Sequence, residues 1–261
     1  MAKRDKTKGE GGAEARAREA DGVGKKADAA NGEGKPNPNS PTEWAKSIAV
    51  AVLLFLFLRT FIVQTFVITS GSMEETLLVG DMLLVNRLAI GSRIPGTQIR
   101  IPGYSSPKRF DVIVFDPPHE EDLKLIKRLI GMPGDTLEMR NRTLHLNGEA
   151  LDEPYVVHSD VADETWPWME WQREHLVDGV DPRTYSPTRD TWGPLVVPEG
   201  HYFMLGDNRE KSLDSRYWGL LEAWRLEGRA LFTYYSYDKD SYRPFPALLE
   251  VRWGRIGRGI D

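Results

Sequence analysis

Two serines separated by one glycine, in Ser70-Gly71-Ser72-Met73, follow closely after the longest apolar run of the chain. A serine hydroxyl is a poor nucleophile until a neighbouring base accepts its proton. Ser-Gly-Ser is also an ordinary composition for a turn, so these residues alone do not establish such chemistry. The hypothesis that Ser72 is a nucleophile therefore depends on a base elsewhere in the sequence.

Histidine is the usual base for a catalytic serine, and the chain contains five histidines. None lies in a hydroxyl-rich or carboxylate-rich motif typical of catalytic triads, and no G-x-S-x-G segment is present. We interpret all of them as surface or packing residues: His119, His145, His158, His175 and His201.

Lysine can act as the base when it is uncharged. An ordinary lysine, with a pKa near 10.4, is neutral in roughly one molecule in two thousand at pH 7, and burial lowers that pKa. Lys127 stands among apolar residues in Leu125-Ile126-Lys127-Arg128-Leu129-Ile130. Adjacent residues of a strand point to opposite faces, so we expect Lys127 to be buried and Arg128 to remain exposed to solvent. The alternative is a solvent-facing lysine on an edge strand.

Short runs rich in β-branched and apolar residues predict that the chain after the apolar segment is mainly β. The predicted strands are 82–85, 111–115, 123–130, 143–146, 201–205 and 231–235. Asn147-Gly148 predicts a hairpin turn, and Met132-Pro133-Gly134-Asp135 predicts a type II turn. Only 164–177 and 220–226 have the character of helices. These patterns predict an antiparallel β-sheet core.

Residues 44–63 form a nearly continuous apolar segment of 20 residues, about the length needed to cross a hydrocarbon core of roughly 30 Å. The segment lacks the polar stripe of a buried core helix. It is also not followed by the A-x-A-like site of a cleavable signal peptide. It therefore predicts one N-terminal transmembrane helix over 43–63. The preceding residues 1–42 contain one large aliphatic residue, Val23, and predict a disordered cytoplasmic tail.

The charges that flank this anchor predict its orientation. Ten Lys or Arg residues lie between Lys3 and Lys46, whereas the stretch from Val63 to Asn86 has none. Positively charged flanks of membrane helices remain in the cytoplasm. We therefore expect a single-pass protein with its N-terminus in the cytoplasm and the rest of the chain outside.

Residues 155–195 differ in character from the strands that flank them, because tryptophans lie there among acidic residues and prolines. The tryptophans are Trp166, Trp168, Trp171 and Trp192. This composition predicts an accessory lobe at 140–195, inserted into a catalytic β core formed by 64–139 and 196–261. The tryptophans either lie at a bilayer interface or pack inside the lobe, and the sequence leaves both alternatives open.

Composition excludes several other kinds of site. The chain of 261 residues has no cysteine, which rules out disulfides, thiol nucleophiles and cysteine-ligated metals. Its net charge of −5 gives no reason to expect a nucleic-acid partner, and neither glycine-rich nucleotide motif occurs. We interpret the acidic run Glu120-Glu121-Asp122 as a solvated turn, and we expect no metal and no cofactor.

Four segments, in this order and after an apolar anchor, resemble those of bacterial type I signal peptidases. These are the membrane-anchored Ser/Lys proteases that remove signal peptides. The segments are Ser70-Gly71-Ser72-Met73-Glu74-Glu75-Thr76-Leu77, Asp111 to Phe115, Lys127-Arg128-Leu129-Ile130-Gly131-Met132-Pro133-Gly134-Asp135 and Gly206-Asp207-Asn208-Arg209-Glu210-Lys211-Ser212-Leu213-Asp214-Ser215-Arg216. The resemblance covers roughly 44–155 and 195–236 and leaves out the tail and the Trp-rich region.

The resemblance implies that Ser72 is the nucleophile and Lys127 the general base. It also implies an oxyanion hole formed by the Ser72 backbone N–H and the Ser70 hydroxyl. Two positions depart from the family pattern, with Lys211 where the family usually has Asn and Phe110 where it often has Gly. Neither belongs to the implied pair, although Lys211 is expected to raise the positive potential near Lys127.

The same resemblance implies a supporting network in the last segment. Ser212 would hydrogen-bond to the lysine and orient it. Asp214 and Arg216 would hold the Ser212 loop by an ion pair, with Asp207 in support. Taken individually, Asp207, Asp214 and Arg216 are also consistent with a purely structural polar network.

The substrate is implied to bind as an added β-strand with small side chains at two alternate positions, the A-x-A pattern. The matching pocket positions are all apolar: Phe66, Ile68, Met73, Leu83, Val114, Leu125 and Ile126. The implied partners are the signal peptides of exported preproteins and the lipid bilayer. The implied location of the catalytic domain is the outer face of the cytoplasmic (inner) membrane.

Two other functions fit parts of the same sequence. A self-cleaving Ser/Lys regulator on a related fold would use the same pair, but the anchor and the lack of a DNA-binding segment argue against it. An inactive relative that binds exported peptides without cutting them would not need Ser72 and Lys127. The sequence therefore favours a membrane-bound serine endopeptidase that cleaves signal peptides.

Overall fold

The described part of the computed structural model contains one long apolar helix followed by a chain that is mainly β. It describes residues 40–93, 97, 99–120, 123–159 and 161–260. Residues 1–39 of the predicted tail lie outside this part of the chain, as do Glu121 and Asp122 of the acidic run.

The apolar segment forms helix α1, Pro41–Phe57, which continues into a π-helical turn at Leu58–Ile62. Ser40 caps the start of α1, because its hydroxyl accepts a hydrogen bond from the Glu43 N–H at 3.2 Å. Together these 22 residues form the one helix in the described part of the chain that is long and apolar enough to cross a membrane. The predicted anchor, 43–63, agrees with this helix to within two residues at each end.

Strands and short helices make up the rest of the described chain. The strands are β1 (Val63–Val67), β2 (Asp81–Asn86), β3 (Ser92–Arg93), β4 (Arg100–Ile101), β5 (Val112–Phe115), β6 (Leu125–Gly131), β7 (Thr136–Arg140), β8 (Thr143–Leu146), β9 (Glu149–Ala150), β10 (Trp192–Val196), β11 (His201–Leu205), β12 (Leu221–Glu222) and β13 (Leu226–Ser236). The short helices are α2 (Arg87–Ile90), α3 (Ser215–Trp218) and α4 (Pro246–Leu249), with 3₁₀ segments at Gly71–Met73, Pro167–His175, Ala223–Arg225 and Trp253–Arg255.

The strands form three antiparallel sheets. The main sheet has seven strands in the order β1-β2-β13-β5-β6-β11-β12, and a smaller sheet has four in the order β10-β7-β8-β9. β3 and β4 form a two-stranded ribbon. The prediction of a mainly β, antiparallel architecture after one N-terminal apolar helix is confirmed, and every predicted strand is present.

Strand β5 shows how the main sheet is buried on both faces. All four of its residues are buried, and successive side chains enter different cores. Ile113 and Phe115 enter one core, and Val112 and Val114 enter the other. The second core also contains Ile68, Met73, Leu77, Leu83, Val85 and Ala230. Since Met73 directly follows Ser72, this core anchors the turn that carries the two serines.

A third core joins the smaller sheet to the main sheet. It contains Leu137 and Trp192 from the smaller sheet and Phe203 from β11. The rings of Trp192 and Phe203 stack with their centroids 5.1 Å apart. The predicted limits of the inserted lobe, 140–195, fall inside β7 and β10. The Trp-rich region therefore shares its core with the main sheet, and Ile48–Asp261 form one compact unit.

The four tryptophans of this region divide into two pairs. Trp192 is buried, and Trp171 packs against Phe203 with ring centroids 6.3 Å apart. Trp166 and Trp168 are 44% and 57% exposed. Core packing thus accounts for the first pair, whereas the second pair presents its indole rings to solvent.

Neither segment predicted to be helical forms an α-helix. The segment 164–177 contains the 3₁₀ helix Pro167–His175. The segment 220–226 contains β12, a 3₁₀ turn and the first residue of β13, so the helix predicted there is wrong. Leu221 is fully buried and pairs with Tyr202 of β11, and this pairing outweighs the local helical preference.

Candidate active site

Ser72 and Lys127, which are 55 residues apart in sequence, meet in the fold. Lys127 Nζ lies 2.6 Å from Ser72 Oγ, at hydrogen-bond distance. Ser72 is 6% exposed and Lys127 is 3% exposed. A hydroxyl and an amine are therefore held together away from bulk water.

Burial changes the proton affinity of the amine. It lowers the pKa of Lys127 from 10.5 to about 8, while the carboxylates of Asp214 and Asp207 act in the opposite direction. The charge of Arg216 lowers the pKa further. With a pKa of about 8, Lys127 is neutral in roughly one molecule in ten at pH 7. This amine is thus available as a proton acceptor near neutral pH.

The backbone changes direction at the serine turn. Ser70 is extended, with φ −132° and ψ 155°, and Gly71–Met73 then form one 3₁₀ turn. Ser70 Oγ lies 3.4 Å from Ser72 Oγ, so a second hydroxyl stands beside the first. The Asn208 N–H donates to the Ser72 carbonyl oxygen at 3.1 Å. This bond fixes the turn against the loop that follows β11.

A buried ion pair holds that loop. Arg216 Nε and Nη2 donate to the two carboxylate oxygens of Asp214, each at 2.8 Å. The Gly206 N–H donates to the same carboxylate at 3.1 Å. Burial alone would raise the pKa of Asp214, but the charge and hydrogen bonds of Arg216 outweigh burial and lower it. The ion pair implied by the resemblance is therefore formed.

Ser212 lies beside this ion pair and is 4% exposed. Its hydroxyl helps to lower the pKa of Asp214, although Oγ has no partner with full hydrogen-bond geometry among the described residues. The expected hydrogen bond between Ser212 and Lys127 is therefore not formed in this structure. Gly206 permits the close approach, because a Cβ there would lie 2.1 Å from Ser212 Oγ and 2.6 Å from the Ser72 carbonyl oxygen.

Arg128 is buried, so the expectation that it stays exposed to solvent is wrong. Its guanidinium donates to both carboxylate oxygens of Asp207, at 2.9 and 2.8 Å. Thr76 Oγ1 donates to the same carboxylate at 2.6 Å, and the Tyr155 ring centre lies 3.9 Å from the guanidinium carbon. Asp207 thus links β6, next to Lys127, to the loop after β11. Sequence reasoning missed the contacts of Thr76 and Tyr155.

The two departures from the family pattern have separate environments. Lys211 is 60% exposed and its Nζ lies 3.7 Å from the Glu74 carboxylate. It is not among the charges that shift the pKa of Lys127, so the expected effect of Lys211 on that site is not found. Phe110 has a φ of 73°, and its carbonyl oxygen accepts a hydrogen bond from Arg128 at 2.9 Å.

A cleft of about 290 Å³ opens from the Ser72–Lys127 pair. Five of the seven predicted pocket residues line it: Phe66, Ile68, Val114, Leu125 and Ile126. Met73 and Leu83 do not line the cleft. They are 1% and 0% exposed because they pack in the same core as Ile68 and Val114. Sequence reasoning missed other lining residues, including Leu123 and Lys124.

One edge of β6 is open beside this cleft. Leu125, Ile126 and Lys127 pair with β5 on one side. On the other side β11 pairs with β6 only from Arg128 onward, with Leu205 opposite Arg128. Within the described residues, the backbone of 125–127 therefore has a free edge on which a peptide strand can add.

The histidines and acidic residues form no second centre in the described part of the chain. His158 Nδ1 lies 2.9 Å from the Glu210 carboxylate, and no histidine hydrogen-bonds to Ser72 or Lys127 there. No group of three or more metal-ligating side chains occurs among the described residues.

A buried hydroxyl beside an amine of lowered pKa, next to an apolar cleft and an open strand edge, has the parts of a serine peptidase. Comparison with known proteins agrees with this class. The family described as "Signal peptidase, peptidase S26" matches residues 41–235. A Signal peptidase I from Pseudomonas aeruginosa is 36% identical over 208 residues, which cover 74% of this chain and 72% of that protein.

A second relative with the same name supports the same family. A Signal peptidase I from Aquifex aeolicus is 32% identical to this chain, and the aligned region covers 78% of this chain and 92% of that protein. A crystal structure of a signal peptidase I from Enterococcus faecalis V583 matches 48% of this chain and 97% of that chain, with 36% identity and a TM-score of 0.32. The chain belongs to the signal peptidase family, peptidase S26, and is a serine peptidase of the signal peptidase I type.

Proposed function

We propose that this protein is a membrane-bound serine endopeptidase that cleaves N-terminal signal peptides at A-x-A sites of exported preproteins. In this proposal Ser72 is the nucleophile and neutral Lys127 is the general base. The observation that carries the proposal is the 2.6 Å contact between Ser72 Oγ and Lys127 Nζ in an environment that lowers the pKa of the amine.

The chemical steps follow from this contact. Lys127 Nζ accepts the proton of Ser72 as Oγ bonds to the carbonyl carbon of the scissile peptide. The Ser72 N–H and the Ser70 hydroxyl stabilise the oxyanion, and each such donor contributes about 3 kcal/mol. The Lys127 ammonium then protonates the leaving amine as the C–N bond breaks. In the second half, Lys127 takes a proton from water as the water oxygen bonds to the acyl carbon, and it returns that proton to Ser72 Oγ as the acyl C–Oγ bond breaks.

Supporting residues act on the position of the lysine. Asp214 and Arg216 hold the loop that brings Ser212 next to the site, and Asp207 holds that loop against Arg128 of β6. Ser212 Oγ is close enough to Asp214 to affect its pKa and has a free hydrogen-bonding capacity. We assign to Ser212 a hydrogen bond with Lys127 once substrate fills the site.

Substrate binding uses the open edge of β6. A signal peptide added as a strand beside Leu125–Lys127 presents alternate side chains to the cleft. Phe66, Ile68 and Val114 form apolar walls there, and small side chains such as alanine fit between them. An A-x-A sequence satisfies this requirement at two alternate positions.

The apolar helix Pro41–Ile62 is the proposed anchor in the cytoplasmic membrane. The excess of Lys and Arg before it places the N-terminus in the cytoplasm and the catalytic part on the outer face. Substrates would therefore be cut as they emerge from the membrane.

Two substitutions test the proposed chemistry. Purified full-length Ser72→Ala and Lys127→Ala are each expected to lose cleavage of an exported precursor, by about 10⁴-fold or more, because each removes one half of the reacting pair. Ser106→Ala and Lys108→Ala, which change exposed residues of the same types, are matched controls. Retained turnover in either of the first two variants refutes the assignment.

A further inference from the structure

A second surface depression, of about 350 Å³, borders the Ser212 loop. Its exposed apolar residues are Trp166, Trp168 and Leu213, which are 44%, 57% and 42% exposed. Its polar lining residues include Glu164, Glu210, Lys211 and Ser212. We name it the Trp166–Trp168 groove.

Ser212 connects the Trp166–Trp168 groove to the Ser72–Lys127 pair. Ser212 Oγ and the Ser72 carbonyl oxygen both lie against Gly206, at 2.1 and 2.6 Å from the position a Cβ would occupy. The cleft beside β6 and the Trp166–Trp168 groove have no lining residue in common. The Trp166–Trp168 groove is therefore a separate depression, and its Ser212 lies close to the serine turn across Gly206.

The register of β6 determines where a bound peptide has to leave the sheet. A strand added beside Leu125–Lys127 lies in line with β11, which occupies the same edge from Arg128 onward. Leu205, opposite Arg128, blocks the path of such a strand just beyond Lys127. The peptide must turn away there, and the chain that follows Leu205 leads to Ser212 and the groove.

The Ser212 hydroxyl supplies a second observation. It is buried, it lines the groove, and its Oγ has no partner with full hydrogen-bond geometry among the described residues. Buried polar atoms in folded proteins are normally hydrogen-bonded. Besides the hydrogen bond assigned to it with Lys127, this oxygen has room to accept a second one, from a peptide N–H that passes from Ser72 into the groove.

We propose that the Trp166–Trp168 groove binds the preprotein segment just after the cleavage site and favours an apolar side chain there. This inference rests on the proposed function, because it takes the β6 cleft as the site for residues before the cut. The two indole rings and Leu213 provide apolar area that glycine leaves in water and that leucine or phenylalanine covers. In this proposal the groove binds the start of the mature protein, and the β6 cleft binds the end of the signal peptide.

The test uses the full-length protein in detergent and soluble precursor peptides with one common signal sequence. The peptides carry Gly, Leu or Phe at the second, third or fourth residue after the cut. We expect wild type to prefer Leu or Phe at one of these positions by about tenfold in kcat/KM. Trp168→Ala and Leu213→Ala should each lose most of that preference. Trp224→Ala, 40% exposed and not part of the groove lining, is the matched control and should retain it.

Several results would overturn the proposal. Equal kcat/KM for the Gly, Leu and Phe peptides in wild type would do so, as would a preference that survives in both groove variants. A Trp168→Ala defect that appears only with phospholipid vesicles would assign these tryptophans to a bilayer surface and also overturn it. Failure of wild type to cut any of the peptides would instead refute the proposed function. The two results can be told apart, because failure of the groove proposal leaves cleavage intact and removes only the preference among the Gly, Leu and Phe peptides.

Discussion

As the proposed general base, Lys127 acts only while it is neutral, so its pKa should govern the pH at which the enzyme works. With a pKa of about 8, its neutral fraction rises about tenfold per pH unit below pH 8 and levels off above about pH 9. We therefore expect kcat/KM for a precursor peptide to reach half of its maximum near pH 8 and then to plateau. Initial rates from pH 6 to 10 measure this. A midpoint near pH 6.5, typical of histidine, would contradict the assignment.

Burial of the Lys127 amine also lowers the free energy of unfolding. An unfolded lysine keeps its proton up to about pH 10.5, whereas folded Lys127 loses it above about pH 8. Between these values the unfolded state binds more protons, so the stability of wild type rises with pH across this interval. Below pH 8 the folded protein carries the full penalty of about 3 kcal/mol.

Removal of the amine should therefore stabilise the fold. Lys127→Met is expected to raise the free energy of unfolding at pH 7 by up to about 3 kcal/mol, and the gain should disappear as the pH approaches 10.5. Denaturant unfolding of wild type and variant at pH 7 and pH 10.5 measures the difference. A variant that is less stable than wild type at pH 7, or a gain independent of pH, would contradict this account.

The resemblance to signal peptidases indicated that Ser72 and Lys127 would lie together, but nothing in the sequence indicated the surroundings of Arg128. Alternation along a strand indicates that Lys127 and Arg128 occupy opposite faces, yet it does not indicate what covers the second face. The partner of Arg128 is Asp207, which is 79 residues away and reaches it only through the pairing of β6 with β11. The same limit applies to Ser212, whose position depends on the close approach at Gly206.

At the scale of elements, the site depends on how closely the serine turn and the Ser212 loop approach each other. A Cβ at position 206 would lie 2.1 Å from Ser212 Oγ and 2.6 Å from the Ser72 carbonyl oxygen, so the two elements would have to separate. We expect Gly206→Ala to lower kcat by at least about tenfold and the free energy of unfolding by about 1–3 kcal/mol. Peptide cleavage and denaturant unfolding measure these effects.

Gly254→Ala provides the control for this change. Apart from its own chain neighbours, no atom of the described residues lies within 4 Å of the position that its Cβ would occupy, so both activity and stability should stay close to those of wild type. Equal behaviour of the two variants would show that the approach at Gly206 does not position the site.

Sequence patterns predicted the strands with clear β-branched character and missed the others, among them β1, β7 and β10. β1 continues directly from the apolar helix, so its residues resemble the end of the anchor. β10 contains Gly193 and Pro194, which normally argue against a strand. Its Trp192 and Leu195 are buried because β7 supplies a partner. Such strands are determined by distant pairing, which local composition does not reveal.

At the scale of the whole molecule, the absence of cysteine offers a direct test of the proposed membrane orientation. A single cysteine introduced at Tyr242, which is fully exposed, should react with a membrane-impermeant maleimide from outside the cytoplasmic membrane. A cysteine at Gly11 in the N-terminal tail should react only after the membrane is made permeable. Labelling of spheroplasts before and after permeabilisation measures both. The reverse pattern would contradict the orientation inferred from the flanking charges.

The organisation of the molecule could be predicted only in part. The long apolar helix is evident because residues 44–63 are nearly continuously apolar. The change of composition at 155–195 is equally evident, but it does not reveal that Trp192 stacks on Phe203 of the main sheet. A change in composition shows where one region of the chain gives way to another. Whether that region has a core of its own depends on the contacts of its buried residues, which composition does not show.

Strand β6 places an amine and a guanidinium side by side in sequence, each with its own partner on its own face. A slip of the strand by one residue would bring Arg128, a group that never gives up its proton in proteins, to Ser72, and would bring Leu129 to Asp207. Asp207 would at the same time lose its cation in a buried environment, at a cost of about 3–5 kcal/mol. The Arg128–Asp207 ion pair therefore favours the register of β6 that also places Lys127 beside Ser72. A chain with the shifted register would be both inactive and less stable.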